Sequence, residues 1–414
     1  MIVAGLAAAA PEFPSSSVLL ARGREEEGLG SSVTLKNGIE MPTQSLSTWQ
    51  LDGTTAKQMV KTALDDVGMR HIDTAITYGN HVQIGEALAG RNRSSFFLTT
   101  KIDPKAGVTS KKGAYMGAKA DLATCLTELD LDYVDLMLIH YPAASCDAVQ
   151  GMWKAAEEFY AAGKARAIGV SNYCPDTLEC MEDMQHVAPA LNQVQYHVGM
   201  GADPGHPYGH VPVDGHPYPD THAMSTPGIA KYCAERGIVL QAYSPLGDDE
   251  SALISSDLVA NIGAAHSKTG AQVAQRWIVQ NNVALTTAKT TSRAQLEASG
   301  DIFDWSLTEE EMAQLSASTA PGASYSFACP FYPGIEMTSP PSPPPYPHDT
   351  EPQPPLPPQP LRSPWPPSPP GIPPLSSAND WSSWIAANPK AYDDGYYGPD
   401  HGSPQAYLDH VVRR

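Results

Sequence analysis

Eight short runs of apolar or β-branched residues, at 43–47, 69–73, 96–100, 134–140, 166–170, 191–195, 238–243 and 284–288, recur between stretches with helical apolar spacing. No other feature restricts the fold as much. The intervening stretches, among them 55–67, 114–129, 149–162 and 272–280, have lengths suited to right-handed crossovers between parallel strands. Eight repeats of strand then helix bury every strand on both faces by closing into a (β/α)8 TIM barrel. An open doubly wound sheet is the rival, but no G-x-G-x-x-G follows the early runs. Ahead of the first run, 33–35 and 39–41 flank Lys36-Asn37-Gly38, where Asn-Gly supplies the positive φ angles of a tight hairpin. The expected class is therefore α/β: a barrel opened by an N-terminal β-hairpin.

The barrel does not use the whole chain of 414 residues. Of 39 prolines, nineteen fall between 340 and 374, a density that denies a helix or sheet its backbone donors and reads as a polyproline II spacer. Beyond it, 376–414 carries Trp381, Trp384 and Ile385 among several tyrosines, too few apolar residues for a core of its own. Residues 1–31 are rich in Ala, Ser and Glu without sustained period and read as a flexible leader. The division expected is leader 1–31, barrel 32–329, disordered proline-rich linker 330–375 and a short tail 376–414.

Composition narrows the partners. With 26 Lys and Arg against 45 Asp and Glu, the net charge of −19 repels phosphate backbones and anionic lipid, which argues against nucleic acid and membrane. Eighteen consecutive apolar residues occur nowhere, and the apolar stretch 2–10 has no basic residues before it. The six cysteines form no C-x-x-C pair and are scattered, the pattern of a reduced, cytoplasmic protein.

In a parallel barrel chemistry gathers where strands end, and the runs here end in Asp73, Lys101, His140, Ser171-Asn172, Tyr243-Ser244 and Lys289, with Gln193 inside the sixth. Singly, each passes for a cap, a rim lysine or a packed core residue. Jointly, they would gather charged and hydrogen-bonding groups at one rim without a ligand, at a desolvation cost. Met41-Pro42 through Thr48-Trp49, HIDTAITYGN, LTTK, DYVDLMLIHYP, GKARAIGVSNY, LNQVQYH, GIVLQAYSPLG and IFDWSLTEEEM follow one another across 39–315, about two thirds of the chain. In this set and order the sequence resembles the aldo-keto reductases.

The resemblance implies a catalytic tetrad of Asp73, Tyr78, Lys101 and His140. Reducing a carbonyl needs a hydride at carbon and a proton at oxygen, and a phenol with an ordinary pKa of about 10 gives its proton poorly near neutrality. The ammonium of Lys101, kept charged and in place by Asp73, is expected to lower the cost of the Tyr78 phenolate, while His140 orients the carbonyl oxygen. The resemblance also implies NADPH as cofactor, with NADH admissible. Tyr243 would stack on the nicotinamide; Ser171, Asn172 and Gln193 would bind its carboxamide; Thr48, Ser244 and Leu246 would line the cofactor's course; Lys289, Thr290 and Arg293 would meet the adenosine 2′-phosphate. Trp49 and Tyr141 would line the substrate side. No metal is expected.

Three departures from the family pattern stand out. Ser47 adds a side chain where relatives carry glycine near the cofactor floor. At the adenosine end Gln295, Ala298 and Ser299 replace an Arg and a Glu-Asn pair, which weakens the expected preference for NADPH. An insertion at about 198–226 holds His206, His210, His216 and His222, with His197 just before it; lacking a Cys/His signature, it reads as a mobile or substrate-contacting loop rather than a metal site. Two functions follow: NADP(H)-dependent reduction of an aldehyde or ketone, or a catalytically impaired barrel acting as a cofactor-sensing scaffold whose proline-rich tail docks an SH3- or WW-like partner.

Overall fold

The computed structural model of the chain describes residues 31–198, 210–212, 222–224, 226–247, 250–317 and 327–328, all within the compact unit Met1–Pro343. The leader 1–30, the proline-rich linker and the tail lie outside the described residues.

The hairpin forms from β1 (Ser32–Thr34) and β2 (Glu40–Pro42), paired antiparallel with Val33 opposite Met41. Its turn departs from the expected one. The Leu35 amide donates to the Ile39 carbonyl, and Gly38 alone takes a positive φ, +82°, so the loop has three residues closed by a left-handed glycine. Asn37 serves otherwise: its side-chain amide donates to the Arg166 carbonyl at 2.8 Å, pinning the hairpin to the barrel floor.

The barrel is built from β3 (Gln44–Ser47), β4 (His71–Asp73), β5 (Phe97–Ile102), β6 (Val134–Ile139), β7 (Ala165–Ser171) and β8 (Leu191–Gln195). Two further short strands, β9 (His210–Pro212) and β10 (His222–Met224), precede β11 (Val239–Tyr243) and β12 (Ala284–Thr286), which complete it. The strands are parallel and close in the order β11-β12-β3-β4-β5-β6-β7-β8. Strand alternation divides the apolar residues between two cores. Phe97, Leu136, Leu138, Ala167, Leu191 and Ala284 face inward and are plugged from below by Leu35 and Met41 of the hairpin. Leu98, Met137, Ile139, Ile168, Val170 and Val194 face outward, under the helices.

Those helices are α1 (Gly53–Lys61), α2 (His81–Leu88), α3 (Lys111–Leu129), α4 (Cys146–Ala161), α5 (Pro175–Glu182), α6 (Thr226–Glu235), α7 (Glu250–Ile254), α8 (Asp257–His266), α9 (Gly270–Gln280), α10 (Arg293–Gly300) and α11 (Glu309–Ser316). Side-chain caps start many of them: Asp52, Ser110, Ser145, Ser256, Thr269, Ser292 and Thr308 each accept a first-turn amide. The expected helix 55–67 is not uniform, because α1 passes into a π-helical segment, Thr62–Val67, stopped by Gly68 at φ +81°.

Two expectations are corrected. Cys146, opening α4, and Cys180, in α5, are joined by a disulfide with Cα atoms 5.3 Å apart, so the scattered cysteines are not all reduced. A sequence separation of 34 concealed the pair; helix packing brings it together. The histidine-bearing insertion, expected as a loop, contains β9 and β10, which pair antiparallel, and β10 pairs in turn with β13 (Phe327–Ala328). No helix among the described residues is long and apolar enough to cross a membrane.

Candidate active site

The polar residues meet at the C-terminal ends of the barrel strands. Asp73 ends β4, and Lys101, the fifth residue of β5, lies beside it; both are almost wholly buried, at 1% and 0% exposure. The Lys101 ammonium donates to Asp73 Oδ1 at 2.5 Å, to the Thr74 carbonyl at 3.0 Å and to the Tyr78 hydroxyl at 3.3 Å. Tyr78 reaches it because the chain after β4 coils into a 3-10 turn, Ile76–Tyr78, and reverses at Gly79 with φ +67°. Asn80 locks that turn: its amide donates to the carbonyls of Thr48 and Leu51, and its oxygen accepts from the Thr74 hydroxyl.

His140 follows β6, its ring edge-on to Tyr78 with centroids 5.8 Å apart. The structure thus brings together Asp73, Tyr78, Lys101 and His140. Two strand positions past Lys101, strand alternation returns Asp103 to the inner side, where its carboxylate sits 2.9 Å from His140 Nδ1. The two meet as a close contact and not as an aligned hydrogen bond.

The charge balance around Tyr78 differs from the expectation. Burial, then Asp73, Tyr141 and Asp103, hold the phenol well above its ordinary range. Lys101 does not reverse this upward shift, because Asp73 pairs with its ammonium at 2.5 Å and offsets much of its charge. The phenol therefore keeps its proton throughout the neutral range. It is a filled donor.

The residues expected at the cofactor are placed as follows. Ser171 donates its hydroxyl to the Gln193 carbonyl, and Asn172, at φ +62°, donates to the His140 carbonyl and accepts from the Tyr243 hydroxyl at 2.7 Å. The Gln193 side-chain amide nitrogen is already occupied, donating to Asp73 Oδ2 at 2.8 Å and to Gln241 Oε1 at 2.7 Å. Thr48 is buried with its hydroxyl donated to the Asp73 carbonyl. Ser244 takes φ +47° and Gly247 +81° in a tight turn containing the buried Leu246.

At the adenosine end, Lys289 is exposed, 3.4 Å from Gln50 Oε1. Thr290 gives its hydroxyl to Gln295, and Arg293 pairs with Asp66 and Glu297. Arg293 is therefore turned toward the helices that flank it. Trp49 is 44% exposed, Tyr141 is half-buried against His140, and Ser47 accepts from the Trp49 amide at 3.4 Å.

Sequence reasoning missed Asn80, Asp103 and Gln241. For Asp103 a signal existed, its even spacing from Lys101; the other two act through partners distant in sequence. A groove of about 370 Å³ at the opposite end of the barrel, lined by Lys36, Glu182 and Arg236, touches none of these residues.

The barrel that carries this arrangement has known relatives. The aldo/keto reductase family model fits residues 39–320. The chain belongs to the aldo/keto reductase family. It is 32% identical over 292 residues to glyoxal reductase of Bacillus subtilis, covering 70% of this chain and 93% of that protein. To morphine 6-dehydrogenase of Pseudomonas putida it is 32% identical over 301 residues, covering 70% and 91%. An aldo/keto reductase of solved structure from Brucella melitensis superposes with a TM-score of 0.58 at 28% identity, over 69% of this chain and 98% of that one. As a member of the aldo/keto reductases the chain is an oxidoreductase.

Proposed function

We propose that this aldo/keto reductase reduces an aldehyde or ketone to the alcohol with a nicotinamide cofactor, NADPH before NADH, and that Tyr78 gives the proton. The observation that carries the reading is the buried chain from Asp73 through Lys101 to the Tyr78 hydroxyl, beside His140.

The residues present suit such a cofactor. Tyr243 offers an aromatic face fixed by its hydroxyl to Asn172, Ser171 and Asn172 bring hydroxyl and amide groups, and Gln193 has a carbonyl oxygen to accept from a carboxamide. The orphaned amide nitrogen of buried Gln241, next to Gln193, is a donor still in want of an acceptor. When bound, the cofactor supplies the hydride. Tyr78 then passes its proton to the oxygen that gains charge, and the resulting phenolate lies 3.3 Å from the Lys101 ammonium, which stabilises it. Asp73 keeps Lys101 fixed in this role, and Gln193 and Thr48 keep Asp73 fixed. His140 places the carbonyl within reach of Tyr78. Glyoxal, named for one relative, is a small dicarbonyl that such a site would accept.

The test is oxidation of NADPH and of NADH by the purified chain with glyoxal and a series of aldehydes. NADPH turnover at a kcat/KM about ten- to a hundredfold above NADH is expected, since one charged contact to a phosphate contributes about 1.5–3 kcal/mol. Lys289→Ala should remove most of that difference while leaving NADH constants unchanged. A wild type indifferent to the phosphate would refute the role given to Lys289, and absence of all turnover would refute the reading.

A further inference from the structure

The Asp103 carboxylate is not needed by the proton chain, yet it lies inside the reactive end of the barrel. Groups from two segments surround it: His140 at 2.9 Å and Tyr141 beyond β6, and Thr77 and Tyr78 of the 3-10 turn, both tyrosines raised in part by its charge. Burial works to raise its own carboxyl, and His140, Thr77 and the Lys101 charge together more than offset that and hold it below the ordinary carboxylate range. It is an anion at neutral pH.

No Lys or Arg among the described residues forms an ion pair with it: Lys101 and Lys105, each two residues away, are held by Asp73 and Asp121, and Lys101 acts on it only through space. His140 carries charge only when protonated, so the Asp103–His140 pair is negative or neutral and never positive. Asp103 therefore sets one fixed negative charge beside the reacting carbonyl, against a substrate anion held on that side.

We propose that Asp103 is a specificity-determining residue, which selects neutral or cationic carbonyl substrates and disfavours those bearing a carboxylate or phosphate near the carbonyl. This deepens the reductase reading above and rests on it. The pair separates charge classes because substrate meets His140 on the ring edge away from Nδ1, within one imidazole's width of Asp103. Two unit charges about 6 Å apart at an effective dielectric constant of ~20 change an equilibrium by roughly a hundredfold, and partial solvent exposure reduces this to about tenfold.

The experiment compares kcat/KM for three aldehydes, butanal, 4-oxobutanoate and 4-(trimethylammonio)butanal, in the whole chain and in Asp103→Asn. In the wild type the anionic aldehyde should fall about tenfold or more below butanal, and the gap should narrow as ionic strength rises from 0.02 to 0.5 M. Asp103→Asn should raise the ratio of anionic to neutral kcat/KM about tenfold, whatever happens to the absolute rates. A second neutral variant, Asp103→Ser, reads the same ratio if Asp103→Asn fails to fold, since the net charge of −19 gives a salt dependence of its own. Turnover of all three at equal efficiency, or a ratio unmoved by salt or by the substitution, overturns the assignment of Asp103 alone. No turnover of any aldehyde overturns the reductase reading as well.

Discussion

Lys101 shows how strongly one residue can bind the site's architecture to its chemistry. Its ammonium satisfies Asp73, the Thr74 carbonyl and Tyr78 together, with no exposure to solvent. Lys101→Met should lower kcat by about two orders of magnitude or more, since no cation then faces the phenolate. It should also destabilise the fold by ~3–5 kcal/mol, because Asp73 is left buried and unpaired. Adding Asp73→Asn should recover much of that stability and none of the rate, a combination that urea unfolding and steady-state assays separate. Two histidines make a second prediction. His71 and His81 are buried, and burial pushes both down to about 4. The unfolded chain takes up these protons below about 6.5 and the folded chain does not, so their stability contribution is full above that pH and is lost progressively as pH falls toward 4. For His71 the full loss is ~3 kcal/mol. Thermal unfolding across pH 7 to 4.5 should show the decline, and His71→Asn should flatten it; a slope identical in the variant would show that other groups titrate there.

Elements meet most closely where α3 crosses α4. A Cβ on Gly151 would collide with the Lys111 carbonyl oxygen, backbone that cannot swing aside, so Gly151→Ala should cost several kcal/mol, on the order of ~3. Gly117, also in α3, would meet only the flexible Lys105 side chain, and Gly117→Ala should be neutral or stabilising by up to ~1 kcal/mol. Melting temperatures of the two variants check this contrast. The Cys146–Cys180 bond straps α4 to α5 across 34 residues, and its removal by Cys→Ser at both positions should lower stability by ~3–4 kcal/mol in the chain-entropy picture. Equal unfolding midpoints of the wild type and the double variant would contradict it. The strands were legible because each apolar run is buried on both sides, and their ends were displaced by one or two residues at most sites. The disulfide and the β9–β10 pairing were not legible, because they depend on which distant segments packing sets side by side. The same limit applies within the site. Residue types at strand ends pointed to Asp73, Lys101 and His140, and the family resemblance to Tyr78, while the hydrogen bonds that occupy Gln193 and turn Arg293 to Asp66 come from neighbours that spacing does not specify.

For the whole molecule, the barrel converts sequence order into a ring: eight strands with their C-terminal ends at one rim gather residues from 73 to 289 around a single opening. The hairpin closes the other end, so the inward apolar residues are sealed below and the polar ones collect above. That arrangement makes the proton donor the centre of the account. The most direct test is Tyr78→Phe, which removes one hydroxyl and keeps the ring, measured in a single turnover with NADPH bound and aldehyde in excess. The account predicts that hydride transfer falls by about a thousandfold or more while NADPH affinity stays within a few-fold of wild type. A variant that keeps even a tenth of the wild-type rate would contradict it.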